Sequence, residues 1–368
     1  MAAAVIGPKD RYEHIEENII NGRLQTVSFA GHHRQIKQIK IHGSFILTHA
    51  NDGLLKCWRA GQELWSYPST SNARKWSGEI FVTDNQSVVC IHLPNPKTTA
   101  ISVLSLKNGS LRSVIQMNDF CKQITVIKNR LFAHIKREKS LLEWDLHDPR
   151  SPKANRPIIT PFKYLLISTE WITPFKGALL ATSPNCLFAY FPESRRGKFF
   201  DLEESLRNFI VIADRTVDDQ WIYISLATFD DKSHFCILNE QQIHTCSFAV
   251  NAGTVDKIAA QKGLIYFVVS EAASDKIYEI NPITKTNRMV ANIAMKIEHI
   301  LVEKSLLIAI SKQTKEQDLK IYFWNLDNKC FLKAFSVPLC TLVTTAVYEK
   351  GRLFFSCGET LLMLNFTL

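Results

Sequence analysis

Short apolar runs separated by polar turns recur along the chain, and they recur in pairs. Each pair has a strand-length run rich in Val, Ile, Phe, Tyr and Trp, a turn carrying Gly, Pro, Asn or Asp, and a second run like the first. The stretches SFILTHANDGLLKCW at 44–58, GLIYFVVSEAASDKIYEI at 263–280 and SLLIAISKQTKEQDLKIYFWNL at 305–326 show the unit. The first runs begin near Phe45, Val88, Leu131, Leu179, Trp221, Leu264, Leu306 and Leu353. Their mean spacing is about 44 residues, a period shared by propeller blades and by helical solenoids. Helical repeats would need longer stripes at 3.6-residue spacing. One weak helical candidate, DLEESLRNF at 201–209, breaks the β pattern.

A weaker strand flanks each pair on either side, such as QIKQIKI at 35–41 and GQELWSY at 61–67 in the first unit. Four strands per repeat is a blade, and blades stacked in a ring bury faces that one blade leaves open. The ends supply a check. The last unit has TLVTTAVY at 341–348, RLFFSC at 352–357 and TLLMLNF at 360–366, and lacks a fourth strand. The spare strand RLQTVSFA at 23–30 precedes the first unit. Joined to the last blade, it would close the ring and remove an exposed edge. The predicted fold is therefore all-β, a closed β-propeller of eight four-stranded blades. Seven blades would follow if 148–175 were an excursion and one unit were misread, but the regular spacing favours eight. Residues 1–22 are expected as an N-terminal tail and 23–368 as the propeller.

Composition narrows the chemistry. The 368 residues are 46% apolar, enough for one large core or two ordinary ones. The net charge of +9 raises the prospect of an anionic partner. The nine cysteines form no CxxC pair, which argues against a disulfide framework or a zinc knuckle and suits a reducing, cytoplasmic compartment. The start does not read as a signal peptide, and no stretch approaches 18 uncharged apolar residues, so no membrane span is expected.

The first unit resembles the WD40-repeat family. It opens with Gly31-His32, runs Thr48-His-Ala-Asn-Asp52-Gly-Leu-Leu-Lys-Cys-Trp58, and follows that family's S-x-x-x-D-G-x-x-x-x-W pattern. The resemblance implies that His32, Thr48, Asp52 and Trp58 form a structural hydrogen-bond network. Arg59 stands where the family has Asp. Trp144-Asp145-Leu146 and Trp324-Asn325-Leu326 align with the same strand ending; Tyr278-Glu279-Ile280, Leu104-Ser105-Leu106 and Leu364-Asn365-Phe366 look like apolar substitutes. The resemblance covers residues 23–366. A weaker similarity is to the propeller part of F-box/WD proteins, whose helical adaptor is longer than residues 1–22.

Candidate sites follow from this frame. The tetrad-like residues read as structural, with Asp52 supporting its turn and Trp58, Trp144 and Trp324 packing between blades. Lys97, Lys136, Arg137, Lys139, Lys312 and Lys315 fall in connections between second and third strands, which open on one face. Arg195, Arg196 and Lys198 fall in the next connection, on the opposite face, as does the proline-rich stretch 146–163. Such basic loops suit an acidic protein surface or a phosphate backbone. The sequence holds no G-x-x-x-x-G-K-S/T loop, G-x-G-x-x-G loop or G-x-S-x-G elbow. No catalytic, metal or cofactor residue is assigned. The leading expectation is a non-enzymatic scaffold or adaptor that binds one or more proteins through its faces and loops. The alternatives are a propeller enzyme or small-ligand sensor with a central-cavity site, and a nucleic-acid-binding propeller with a basic face.

Overall fold

The computed structural model describes residues 8–68, 80–95, 98–117, 121–135, 140–148, 158–159, 171–175, 178–183, 186–194, 196–201, 211–217, 222–227, 232–238, 243–249, 255–272, 274–311, 318–338, 340 and 342–367. The chain opens with a helix, α1 (Pro8–Asn21), and a lone strand, β1 (Gln25–Phe29). Thirty-one further strands follow as blades. Blade 1 is β2 (Ile36–His42), β3 (Phe45–Ala50), β4 (Leu54–Arg59) and β5 (Gln62–Pro68). Blade 2 is β6 (Phe81–Val82), β7 (Ser87–Asn95), β8 (Thr98–Ser105) and β9 (Leu111–Met117). Blade 3 is β10 (Cys121–Ile127), β11 (Arg130–Ile135), β12 (Ser140–Asp145) and β13 (Ile158–Ile159). Blade 4 is β14 (Trp171–Phe175), β15 (Ala178–Ser183), β16 (Cys186–Phe191) and β17 (Arg196–Asp201).

Blade 5 is β18 (Val211–Val217), β19 (Ile222–Ala227), β20 (Lys232–Leu238) and β21 (Ile243–Ala249). Blade 6 is β22 (Val255–Gln261), β23 (Leu264–Ser270), β24 (Asp275–Asn281) and β25 (Thr286–Ile293). Blade 7 is β26 (Ile297–Glu303), β27 (Leu306–Ser311), β28 (Leu319–Asn325) and β29 (Cys330–Val337). Blade 8 is β30 (Ala346–Glu349), β31 (Arg352–Cys357) and β32 (Thr360–Asn365), and β1 is its fourth strand. Each blade is a four-stranded sheet with its strands in sequence order, apart from this borrowed strand.

Thus β1 lies antiparallel to β32, with Gln25 opposite Asn365 and Phe29 opposite Leu361. The backbone groups of β32 are paired on both sides, by β31 and by β1. The spare and missing strands meet as the sequence predicts, and the described sheets number eight rather than seven.

Burial grades across each blade. The second strand is buried on both faces: every residue of β27 is buried, as are the interiors of β23 and β31. Such strands read as unbroken apolar runs. Fourth strands are largely open, as in β5 and β29.

The chain divides into two compact units. One comprises Met1–Ile39, Ile212–Asn239 and His244–Leu368; the other comprises Lys40–Val211 and Glu240–Ile243. The first holds blades 5 to 8 and α1, and its blades 7 and 8 share one apolar cluster around Leu306, Ile308, Phe323, Leu353, Phe355 and Phe366. In the second, blades 2 and 3 share Val89, Ile101, Val103, Leu131 and Trp144. Among the described residues no helix is long and apolar enough to cross a membrane.

The N-terminal segment departs from the expectation of a tail, because residues 8–21 are helical. Pro8 opens the helix, where its missing N–H costs nothing. Gly22, at φ +70°, ends it: Arg23 N donates to Asn18 O at 2.8 Å and Gly22 N to Ile19 O at 3.1 Å. Ile15 and Ile19, four residues apart on one face, are wholly buried in the blade 7–8 cluster. Asn18 Nδ2 donates to Phe366 O at 2.9 Å, and Glu16 accepts from Ser305 Oγ at 2.9 Å and Asn325 Nδ2 at 2.7 Å. With so few apolar positions in a polar segment, periodicity alone gives little sign of it. The other helical candidate, 201–209, lies outside the described residues beyond Asp201, which ends β17.

The helix presses on the turn between β30 and β31, where a Cβ on Gly351 would lie 2.7 Å from Ile15 Cδ1. Truncating Ile15→Ala should cost about 2–4 kcal/mol in denaturant unfolding. Gly351→Ala should destabilise as well, because it adds that clash to a φ of +80°.

Candidate docking surface

The predicted network of blade 1 is partly assembled. Trp58 Nε1 donates to Thr48 Oγ1 at 2.8 Å, with both side chains buried. The register causes this: Ile46 lies opposite Trp58, so Thr48, two residues on, shares its face. Asp52 Oδ1 accepts from Leu54 N at 2.9 Å and holds the turn between β3 and β4. His32 is 5% exposed. Trp144 and Trp324 occupy the same register in blades 3 and 7, opposite Leu131 and Leu307. The residues two positions on are Ala133 and Ala309, which have no hydroxyl. Accordingly, the buried Trp144 Nε1 has no hydrogen-bond partner among the described residues.

The residue ending the third strand sets the next turn. Asn281, Asn325 and Asn365 each accept backbone N–H groups one turn ahead, from Ile283, Asn328 and Thr367 at 3.0, 2.7 and 3.1 Å. Asp145 does the same for His147 N at 2.9 Å. Arg59 has no such acceptor, and blade 1 turns instead through a two-residue loop. Ala60 and Gly61 take positive φ there, and Arg59 lies opposite Gln62.

Most predicted basic sites fall elsewhere. Lys97, Lys136, Arg137, Lys139, Lys312, Lys315 and Arg195 lie outside the described residues. Arg196 and Lys198 lie on β17, in register with Phe191 and Ala189, rather than in the connection before it. The basic face expected from sequence thus lies almost wholly outside the described residues.

A different set of lysines emerges from the turns. Lys262, Lys304 and Lys350 sit between the first and second strands of blades 6, 7 and 8, with φ of 52°, 56° and 51°. Lys285 and Lys329 sit between the third and fourth strands of blades 6 and 7, with φ of 58° and 53°. In an up-and-down sheet both kinds of turn lie at one end, so all five belong to the same end of their blades. Left-handed backbone favours Gly or Asn over Lys. Lys304 Nζ lies 3.3 Å from the centre of the Tyr12 ring, and Lys350 Nζ is 3.1 Å from Glu349. For Lys262, Lys304 and Lys350 the following Gly or Ser was the available sequence signal, whereas Lys285 and Lys329 precede Thr286 and Cys330.

Apolar side chains accompany these lysines. Ile283 is 50% exposed in the turn that carries Lys285, and Phe331 is 54% exposed two residues after Lys329. Phe331 does not stand alone. Its ring centre is 5.8 Å from that of Trp324, which stacks at 5.8 Å on Tyr322. On blade 6, Arg288 holds Glu279 in a two-pronged bond of 2.6 and 2.8 Å. That bond pulls the Glu279 carboxyl below its ordinary range, helped by the charge of Lys329. The turns of blades 6 and 7 thus present Ile283, Lys285, Lys329 and Phe331 on rigid supports. No three His, Cys, Asp or Glu side chains gather as metal ligands among the described residues.

No family model matches the chain, and no curated protein matches it in sequence. Among solved structures, 1053 chains match. The computationally designed Ika8 protein is 12% identical with a TM-score of 0.65, over 92% of this chain and 98% of that one. BamB from Moraxella catarrhalis is 10% identical with a TM-score of 0.61, over 89% and 93%. Sqt1 from Saccharomyces cerevisiae is 11% identical with a TM-score of 0.62, over 92% and 97%. At these identities the likeness bears on the fold alone, which is that of an all-β propeller.

Two outcomes test the electrostatics and packing. Thr48→Val should lower stability by about 1–3 kcal/mol because it removes the hydroxyl that accepts from Trp58 Nε1, while Thr48→Ser should restore most of the loss in the same unfolding titration. In β26, burial pushes the His299 imidazole below its ordinary 6.5, against opposing help from Val343 O and Glu298. The folded state therefore binds fewer protons than the unfolded one there. The His299 contribution should be lost as pH falls from 6.5 towards the depressed value, and His299→Gln should flatten that part of the stability profile.

Proposed function

We propose that the protein is a non-enzymatic docking module that holds an acidic protein segment against the turn end of blades 6 and 7. The observation that supports this most directly is the pairing of an exposed apolar side chain with a lysine in two adjacent turns: Ile283 with Lys285, and Phe331 with Lys329. An aromatic side chain backed by buried neighbours suits an anchor, and lysines around it suit the rim of an interface. The fold supplies rigid strands on both sides of each turn, so contact costs little ordering entropy. The bland alternative for each lysine alone is a solvated surface charge. The apolar partner beside it and the left-handed backbone beneath it favour a contact role.

The test is competition between variants. A partner isolated with the wild-type chain should bind Phe331→Ala at least tenfold more weakly, and Lys329→Glu should slow association, most strongly at low salt. Unchanged affinity of both folded variants for that partner would overturn the assignment of the surface. Binding of a random single-stranded oligonucleotide with a steep salt slope would instead favour a nucleic-acid function. Catalytic turnover by the isolated chain would favour the enzyme alternative.

A further inference from the structure

The nine cysteines enter none of the foregoing roles, yet two of them meet. Cys340 precedes β30 and is fully buried; Cys357 ends β31 and is half-buried. Both pack into the blade 7–8 apolar cluster. Gly358 N donates to Leu342 O at 3.0 Å, which ties the backbone beside one cysteine to the backbone beside the other. Of the groups around the Cys340 thiol, the Cys357 thiol acts on it most strongly. This is a cysteine pair held by two converging segments, with one residue buried and the other half-buried.

We infer that Cys340 and Cys357 form an oxidisable dithiol, which a peroxide converts into an intramolecular disulfide joining the segment before β30 to the end of β31. The half-buried Cys357 is the entry point. Its sulfur, as thiolate, attacks one oxygen of hydrogen peroxide; the O–O bond breaks, and the departing hydroxide takes the thiol proton as water. The Cys340 sulfur then displaces the hydroxyl of that sulfenic acid. The S–S bond forms, and the leaving oxygen departs with the Cys340 proton as a second water. Two thiols are oxidised by two electrons and one peroxide is reduced to two waters.

The surroundings fit this order. The Cys357 thiol beside it, with burial, holds the Cys340 thiol far above its ordinary range, so Cys357 meets the peroxide first; once Cys357 is a neutral sulfenic acid, it no longer opposes loss of the Cys340 proton. By contrast, Cys57 and Cys90 are pushed up to about 12 by burial alone. Cys330, exposed at the start of β29, serves as an internal control for a lone accessible thiol.

Tryptic cleavage separates the pair. Cys340 falls in 334–350 and Cys357 in 353–368, each as the only cysteine of its peptide. Native protein treated with dilute hydrogen peroxide should yield these peptides linked, lighter by two hydrogens than their sum, and separable by dithiothreitol. The oxidised protein should also melt several degrees higher, because the bridge constrains the unfolded chain. Cys330→Ala should keep the link and Cys357→Ala should abolish it. If peroxide leaves both peptides unlinked, carries Cys357 to sulfinic acid, or links either one to another cysteine, the inference is overturned. The wild-type peptide map decides the matter even where Cys357→Ala fails to fold.

Discussion

The structure of blade 8 depends on one requirement, that a buried strand must find partners for its backbone on both sides. β32 meets it by taking β31 on one side and β1 on the other. Without β1, β32 would present an open edge with a row of unpaired N–H and C=O groups, a template for pairing with another chain. The helix that precedes β1 is then drawn to the same blade by the short link at Gly22–Leu24, and Ile15 and Ile19 cover the cluster shared by blades 7 and 8. Strand exchange and helix docking are thus one event in the chain, made from its first described residues.

Much of this architecture was legible because the second strands are buried on both faces. LLIAIS in β27 has no polar alternation to obscure it, and the starts read near Phe45, Leu131, Leu264 and Leu306 fall within a residue of the observed strands. The spare strand at 23–30 and the missing one after 366 were legible by counting. Helix α1 was not, because its stability comes from tertiary contacts of Tyr12, Ile15, Glu16 and Ile19 rather than from a broad apolar stripe. A segment with so few apolar positions reads as a tail until its partner surface is known.

The candidate surface was less legible, for a related reason. Charge runs such as Lys136-Arg137-Glu138-Lys139 draw the eye in sequence, whereas Lys285 and Lys329 are single residues in ordinary turns. Only the backbone distinguishes them, by placing Lys where Gly or Asn is the easier choice. The blade 1 signature was legible as a motif, and in the structure Thr48 accepts from Trp58 Nε1 while Asp52 accepts from Leu54 N. Its absence in blades 3 and 7 was also readable, since Ala133 and Ala309 cannot accept the tryptophan N–H.

The borrowed strand also has a consequence in time. β1 is synthesised roughly 340 residues before its partner β32 is complete. At ordinary synthesis rates of about 5–20 residues per second, β1 waits roughly 20 to 70 seconds with its edge unclaimed. Blades 1 to 7 can each assemble from contiguous chain as it emerges, while blade 8 cannot. Over that interval β1 is a ready strand with no sheet to receive it, because the only partner it takes among the described strands is made last of the eight blades.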